Sequence, residues 1–200
     1  AVEFQDGAAG QIVLSDDTDL TITTSGGHIT IAPTIAGTDS GGGNTAEDIT
    51  LNAAGGTVTL SNTGAAVLAT DIGDVTLTGA TIALSNSITS TGTNSAGNAA
   101  TIDINGAVTL NDNDITFTTG GAGIDFSSTI VSGSTTPRAL TIAQGTGAVV
   151  INGNIGGTAN NDVGNITIGA TGHNGNITLS GDIGTDSVAG AAVVAAVAAA

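Results

Sequence analysis

Residues 164–180 read GNITIGATGHNGNITLS, and one short pattern occurs in them twice, as Gly164-Asn165-Ile166-Thr167-Ile168 and as Gly175-Asn176-Ile177-Thr178-Leu179. In each copy two aliphatic residues flank a central threonine. Neighbouring side chains of an extended strand point to opposite faces, so the aliphatic residues face one way and the threonine faces the other. The pattern therefore predicts short strands that bury one face.

The same triplet recurs along most of the chain, sometimes with Asp or Ala in the central position. Triplets begin at positions 20, 29, 49, 58, 75, 82, 102, 108, 115, 124, 140, 166 and 177. They often form pairs, and the first members of the pairs lie at positions 20, 49, 75, 102, 140 and 166. The step from 102 to 140 is longer than the others, which indicates either a turn with an insertion or one and a half turns. Glycine and asparagine separate the triplets, as sharp corners require.

Two all-β architectures compete for this pattern. The Asn-Gly pairs are typical of hairpins, which would build an antiparallel sandwich. The regular repeat instead favours a parallel β-helix, or β-solenoid, of about six or seven coils with a repeat of about 26–29 residues. The solenoid is predicted over residues 18–186, with an aliphatic interior. Residues 1–17 would be an N-terminal cap or inter-subunit strand, and residues 187–200 an Ala/Val-rich C-terminal cap or assembly segment.

The composition excludes several functional classes. Seventeen acidic residues stand against one basic residue, Arg138, and there is no cysteine. Nucleic-acid binding needs a basic surface, so no nucleic-acid partner is expected. Disulfide frameworks and thiolate zinc sites need cysteine. The longest apolar run, at residues 189–200, is shorter than the roughly 20 residues of a transmembrane helix, so no membrane span is predicted.

The repeats at Ile166 and Ile177, together with Asp48-Ile49-Thr50-Leu51 and Asp74-Val75-Thr76-Leu77, resemble the β-helical shafts of bacterial filamentous-haemagglutinin-like and autotransporter adhesins and the long β-strand repeat surface proteins. The resemblance implies an extracellular or cell-surface location and a structural or adhesive role.

This role defines the functional prediction. We expect a β-solenoid segment that builds a filament, sheath, surface layer or adhesin stalk and self-associates end to end into a homo-oligomer or polymer, with possible glycan or cell-surface contact. The alternative is a solenoid binding module that recognises glycans or ice through a Thr-rich face.

Two acidic loops, at residues 16–19 and 111–114, and one glycine-rich segment are candidates for calcium binding. Calcium prefers six to eight oxygen ligands, which such segments can supply. Residues 120–126 fit the calcium-binding nonapeptide pattern in a single copy, which also reads as a glycine corner before a strand. The acidic loops also read as solvated turns. The candidate ligands are Asp16, Asp17, Asp19, Asp112, Asp114 and Asp125. No other cofactor is expected.

Catalysis is not expected from this sequence. Asp103 and Asp125 replace the central threonine of a triplet and could pair as carboxylates for acid–base chemistry. The aromatic platforms and basic residues that would accompany them in a polysaccharide-cleaving groove are missing, so we predict that the chain is not an enzyme. His28 and His173 are predicted to be solvated turn residues.

Overall fold

The computed structural model of the chain describes residues 1–5, 10–15, 17–38, 46–61, 71–157, 162–169, 173–184 and 193–194. Within these ranges the chain is all-β and forms no helix. The strands, in chain order, are β1 Val2–Phe4, β2 Gln11–Leu14, β3 Leu20–Thr23, β4 Ile29–Ile31, β5 Thr34–Gly37, β6 Glu47–Asn52, β7 Thr57–Leu60, β8 Ile72–Leu84, β9 Ile88–Ser90, β10 Ile102–Leu110, β11 Ile115–Thr119, β12 Ile124–Phe126, β13 Ile130–Ser132, β14 Leu140–Ala143, β15 Val149–Ile151, β16 Ile155–Gly156, β17 Ile166–Ile168, β18 Ile177–Leu179, β19 Ile183–Gly184 and β20 Val193–Val194.

Parallel pairing places these strands on three faces of one solenoid. Face A holds β3, β6, the first part of β8, the first part of β10, β12, β15 and β18. Face B holds β1, β4, β7, the last parts of β8 and β10, β13, β16 and β19. Face C holds β2 with β5 and, farther along, β9, β11, β14, β17 and β20. Where the structure describes all three faces of a coil, the chain passes face B, then face C, then face A.

The register stacks like residues on like residues, which confirms the predicted parallel β-solenoid of about six turns. The shortest step between stacked residues is shared by Ile102 on Ile124 and Val108 on Ile130. The longest is shared by Leu20 on Ile49, Ile29 on Val58 and Ile88 on Phe117. The shortest coils are therefore shorter than the repeat predicted from the sequence. In the described part of the chain, antiparallel pairing is limited to one isolated bridge, and the sandwich alternative is wrong.

The long step in the triplet spacing, from position 102 to position 140, contains no inserted structure. Ile102 lies on face A and stacks on Ile124, whereas Leu140 lies on face C and stacks on Ile115. The step therefore covers one complete turn and continues across two more faces. The triplet spacing had counted the triplets at Ile102 and Leu140 as successive members of one series, although they lie on two different faces.

The inward residues of the triplets form a continuous apolar column. Most of its isoleucine, leucine and valine side chains are fully buried, and most of the central threonines are half-buried on the outside. The column also contains two aromatic rings, at the last positions of the triplets that begin at 115 and 124, so its lining is not purely aliphatic. Phe117 on face C and Phe126 on face A meet edge to face, with ring centroids 4.9 Å apart.

Glycines stack directly at the corners between faces. A Cβ atom on Gly106 would overlap the carbonyl oxygen of Gly79, and one on Gly79 would lie 2.9 Å from the carbonyl oxygen of Gly56. Backbones at this corner therefore approach more closely than any residue with a side chain permits. The same holds on the other side of face A, where a Cβ on Gly175 would overlap the carbonyl of Gly147.

Candidate functional site

Aspartates at the start of face A link one coil to the next. Asp19 Oδ1 accepts the backbone N–H of Asp48 at 2.9 Å, and Asp48 Oδ1 accepts that of Asp74 at 2.7 Å. Asp74 Oδ1 in turn accepts the backbone N–H of Thr101 at 2.7 Å and its hydroxyl at 3.0 Å. Each carboxylate thus binds the amide one coil farther along the chain. We call Asp19, Asp48 and Asp74 the corner ladder.

The other two faces use the same arrangement with different side chains. Asp114 Oδ1 accepts the backbone N–H of Ala139 at 2.8 Å, and Asn154 Oδ1 accepts that of Asp182 at 2.9 Å. His28 Nδ1 accepts the backbone N–H of Thr57, the first residue of β7, at 3.0 Å. These contacts satisfy corner amides with side-chain acceptors, and charged acceptors make the stronger hydrogen bonds.

In two residues of the corner ladder, Asp48 and Asp74, the second carboxylate oxygen accepts hydrogen bonds from the loop of residues 91–101. Asp48 Oδ2 accepts the hydroxyl of Ser95 at 2.9 Å, and Asp74 Oδ2 accepts Asn94 Nδ2 at 2.9 Å. Both oxygens of these two carboxylates therefore receive protein donors. Sequence reasoning noted that Asp48 and Asp74 precede triplets, but it missed their bonding role. An acidic residue recurring just before the strand was the available signal.

The structure brings Asp103 and Asp125 together, as the sequence had suggested for outward central residues. The two residues are direct register partners on β10 and β12 of face A. Burial raises the pKa of the Asp103 carboxyl, and the negative charges of Asp125 and then Asp74 raise it further. Asp103 therefore holds a proton more readily than a solvated aspartate does. No basic residue accompanies it in the described register of face A.

The calcium candidates do not converge. Asp17 and Asp19 are exposed near β3, whereas Asp112 and Asp114 lie at the corner between β10 and β11. Asp112 Oδ2 accepts the hydroxyl of Ser85 at 2.6 Å, so part of its acceptor capacity is used within the protein.

The remaining calcium candidates are equally separate. Asp125 lies on face A, and Asp16 lies outside the described residues. Among the residues that the structure describes, no three histidine, aspartate or glutamate side chains are grouped so that they could hold a metal ion. Calcium binding stays a prediction without a convergent ligand set.

Two columns of polar side chains run along the outside of face A. Thr21, Thr50 and Thr76 stack in one column. The second column, two residues along each strand, consists of Thr23, Asn52, Thr78 and Asn105. The steps between these coils differ in length, but the corners absorb the difference and the columns stay in register. Irregular spacing in the sequence therefore does not make this face irregular.

The two histidines differ in their surroundings. His28 is exposed, as predicted for a turn residue. His173 is only 2% exposed, so its assignment to a solvated turn is wrong. It is buried because the corner before β18 packs on the preceding corner, which contains the buried Gln144. A lone histidine among glycines gives no sequence signal for this burial.

No helix in the described ranges has the length and apolar character needed to cross a membrane. When the chain is compared with models of protein families, with curated proteins and with solved structures, it matches none of them.

Proposed function

We propose that this chain is an extracellular structural protein, a β-solenoid segment that builds a filament, sheath, surface layer or adhesin stalk by end-to-end association. One observation carries the proposal. The exposed large hydrophobic residues of the described chain are Phe4, Val13 and Leu179, and all of them lie in the first or last coil. Inward isoleucine, leucine and valine residues of the intervening coils are at most 2% exposed.

The strand edges at both ends support the same function. β1, β2 and β3 each pair with only one described strand, as do β18, β19 and β20. A parallel strand edge is a template for another strand, and exposed apolar side chains beside it favour further stacking. A second copy, or further coils of the same kind, would continue the ladder that the chain already forms internally.

Sedimentation velocity and negative-stain microscopy test this proposal. We expect the sedimentation coefficient to rise with concentration and rods to lengthen in steps of one chain. Leu179→Asp, in the last coil, should shorten the rods, because it places a charge against the next coil. Val131→Asp, at an outward half-buried position of face B, is the matched control and should leave rod length unchanged. A monomer at every concentration would contradict end-to-end association.

A second candidate function rests on the two polar columns of face A. Their side chains repeat at about 4.8 Å between coils and roughly 6.7 Å along each strand. An array of hydroxyl and amide groups in register suits recognition of glycans or ice. Thermal hysteresis and pull-down on insoluble polysaccharides test it, with Thr50→Lys as the disrupting variant and Thr109→Lys on face B as the control. Failure of the wild-type protein in both assays rejects this candidate.

A further inference from the structure

The corner between face C and face A buries an ionisable ring in the last coil. His173 Nδ1 lies 2.8 Å from the carbonyl oxygen of Gly145 and 3.3 Å from Gln144 Nε2. Its other ring nitrogen, Nε2, is buried and has no hydrogen-bond partner among the described residues. Buried ring nitrogens without a partner are uncommon, because an unpaired buried polar atom costs stability.

The contacts determine the tautomer of this ring. A carbonyl oxygen only accepts hydrogen bonds, so Nδ1 carries the hydrogen that is donated to Gly145. The side-chain amide of Gln144 donates to the carbonyl oxygen of Gly147, and its own oxygen is buried without a partner in the described part of the chain. When the ring is neutral, its lone pair therefore lies at Nε2, which is buried without a partner among the described residues. Any further proton must bind at this atom.

The corner packed against His173 offers no negative charge to balance a positive one. Residues 139–157, which include this corner, contain no ionisable side chain. In the last coil the other ionisable side chains are Asp162 and Asp182, which lie at different corners, before β17 and after β18. A proton on His173 would thus bury a charge without a carboxylate at its own corner, which is strongly unfavourable.

We propose that His173 is a pH switch that opens the last coil, described at residues 162–169 and 173–184, when its imidazole is protonated. Histidine is the side chain whose charge changes between about pH 5 and pH 8. Water does not reach the ring in the closed corner, because Nε2 is buried and Gly175 stacks against Gly147 without room for a Cβ atom. The coil must therefore separate from the preceding one for the charge to reach water.

The last coil is the part of the solenoid that can open alone. On face A its Ile177 is half-buried and its Leu179 is 39% exposed, so separation there loses less buried apolar surface than in the middle of the column, whereas Ile166 and Ile168 on face C are 2% exposed. Terminal units with fewer buried contacts open at lower free energy than the whole fold. Opening would release β17 from β14, β18 from β15 and β19 from β16.

Hydrogen exchange read by mass spectrometry tests the switch between roughly pH 8 and pH 5. After correction for intrinsic exchange, opening in peptides from residues 139–157 and 162–184 should rise as the pH falls below about 6.5, the ordinary pKa of a solvated histidine, and should approach tenfold per pH unit, the slope for one proton. Peptides from residues 71–110 should show no such rise. Exchange in the last coil that does not depend on pH would overturn the proposal.

Two variants distinguish the effect of His173 on acid-induced opening from any effect of His28. His173→Gln should abolish the acid-induced rise, and His28→Gln should leave the rise in the last coil unchanged. If His173→Gln opens the coil at every pH, this variant does not test the switch. Ring ¹⁵N chemical shifts of the wild-type protein then show whether protonation of His173 accompanies opening. The imidazolium of His173 should then appear only together with loss of protection in the last coil. An imidazolium in a fully protected coil would refute the switch.

Discussion

Asp103 and Asp125 are register partners on neighbouring coils, so two carboxylates project from face A at the inter-coil spacing of about 4.8 Å. Threonines occupy the equivalent position on three earlier coils. Like charges directly opposite each other destabilise a sheet. The raised pKa of Asp103 follows first from its burial and then from its acidic neighbours.

Stability should therefore fall when Asp103 ionises. Its pKa in the folded protein lies above the ordinary value of 3.8, so the folded chain binds this proton more tightly than the unfolded chain does. The destabilisation is present above the folded-state pKa and disappears as the pH falls below 3.8. We expect Asp103→Asn to stabilise the protein at neutral pH by about 0.5 kcal/mol, measured by denaturant unfolding, with no gain at strongly acidic pH.

A double-mutant cycle with Asp125→Asn provides the control for this pair. If repulsion between the two carboxylates is the cause, the gains of the single variants should not add in the double variant. Fully additive gains would show that the two residues act independently, and the repulsion argument would then be wrong.

The corner ladder should contribute measurably to stability. Asp74→Ala removes the acceptor of the Thr101 amide and hydroxyl and of the Asn94 side chain. We expect a loss of about 2 kcal/mol in the free energy of unfolding. Asp182→Ala is the matched control, because Asp182 is exposed and no hydrogen bond to its carboxylate is described. Equal losses in the two variants would contradict a role for the ladder.

A charge inside the apolar column should disrupt the fold, whereas a charge outside should not. Ile166 is 2% exposed and stacks on Leu140, whereas its neighbour Thr167 is half-buried on the outside. Ile166→Asp should cost about 3 kcal/mol or more, since it buries an unpaired carboxylate. Thr167→Asp should change stability by less than about 1 kcal/mol. Similar thermal unfolding of the two variants would overturn the inward assignment of Ile166.

Stacked corner glycines should not tolerate even one methyl group. Gly175→Ala places a Cβ into the carbonyl of Gly147, so we expect a loss of about 2 kcal/mol. Gly55→Ala has no atom within 4 Å of the new Cβ and serves as the control. Circular-dichroism melting curves compare the two variants. An unchanged melting temperature for Gly175→Ala would show that the corners can move apart at little cost.

Much of the fold could be read from the triplets. The alternation at Ile166-Thr167-Ile168 reports burial directly, because a strand with one buried face must alternate. Assignment of triplets to faces could not be read in the same way. The triplets beginning at Ile102 and Leu140 look alike, yet they lie on different faces. Only the stacking of coils distinguishes them, since each face presents the same aliphatic column inward.

The contacts of polar side chains were harder to predict than the burial of apolar ones. The pairing of Asp103 with Asp125 was suggested by their central positions, and the register confirms that they meet. The use of Asp48 and Asp74 as acceptors for the following coil was not predicted, because their donors lie a full coil farther along the chain, at Asp74 and Thr101. Such contacts depend on how long each corner is, and the triplets do not specify corner length.

By itself, the amino-acid sequence determined an all-β chain of short strands and favoured a parallel, coiled arrangement, because alternation and repetition are local properties that any stacked coil must satisfy. The tertiary structure alone decided which triplets share a face, which carboxylates bind the next coil and that His173 is buried. These features arise between residues separated by a full turn. Their contacts depend on the summed length of three strands and three corners. A short stretch of sequence does not specify the length of a whole coil.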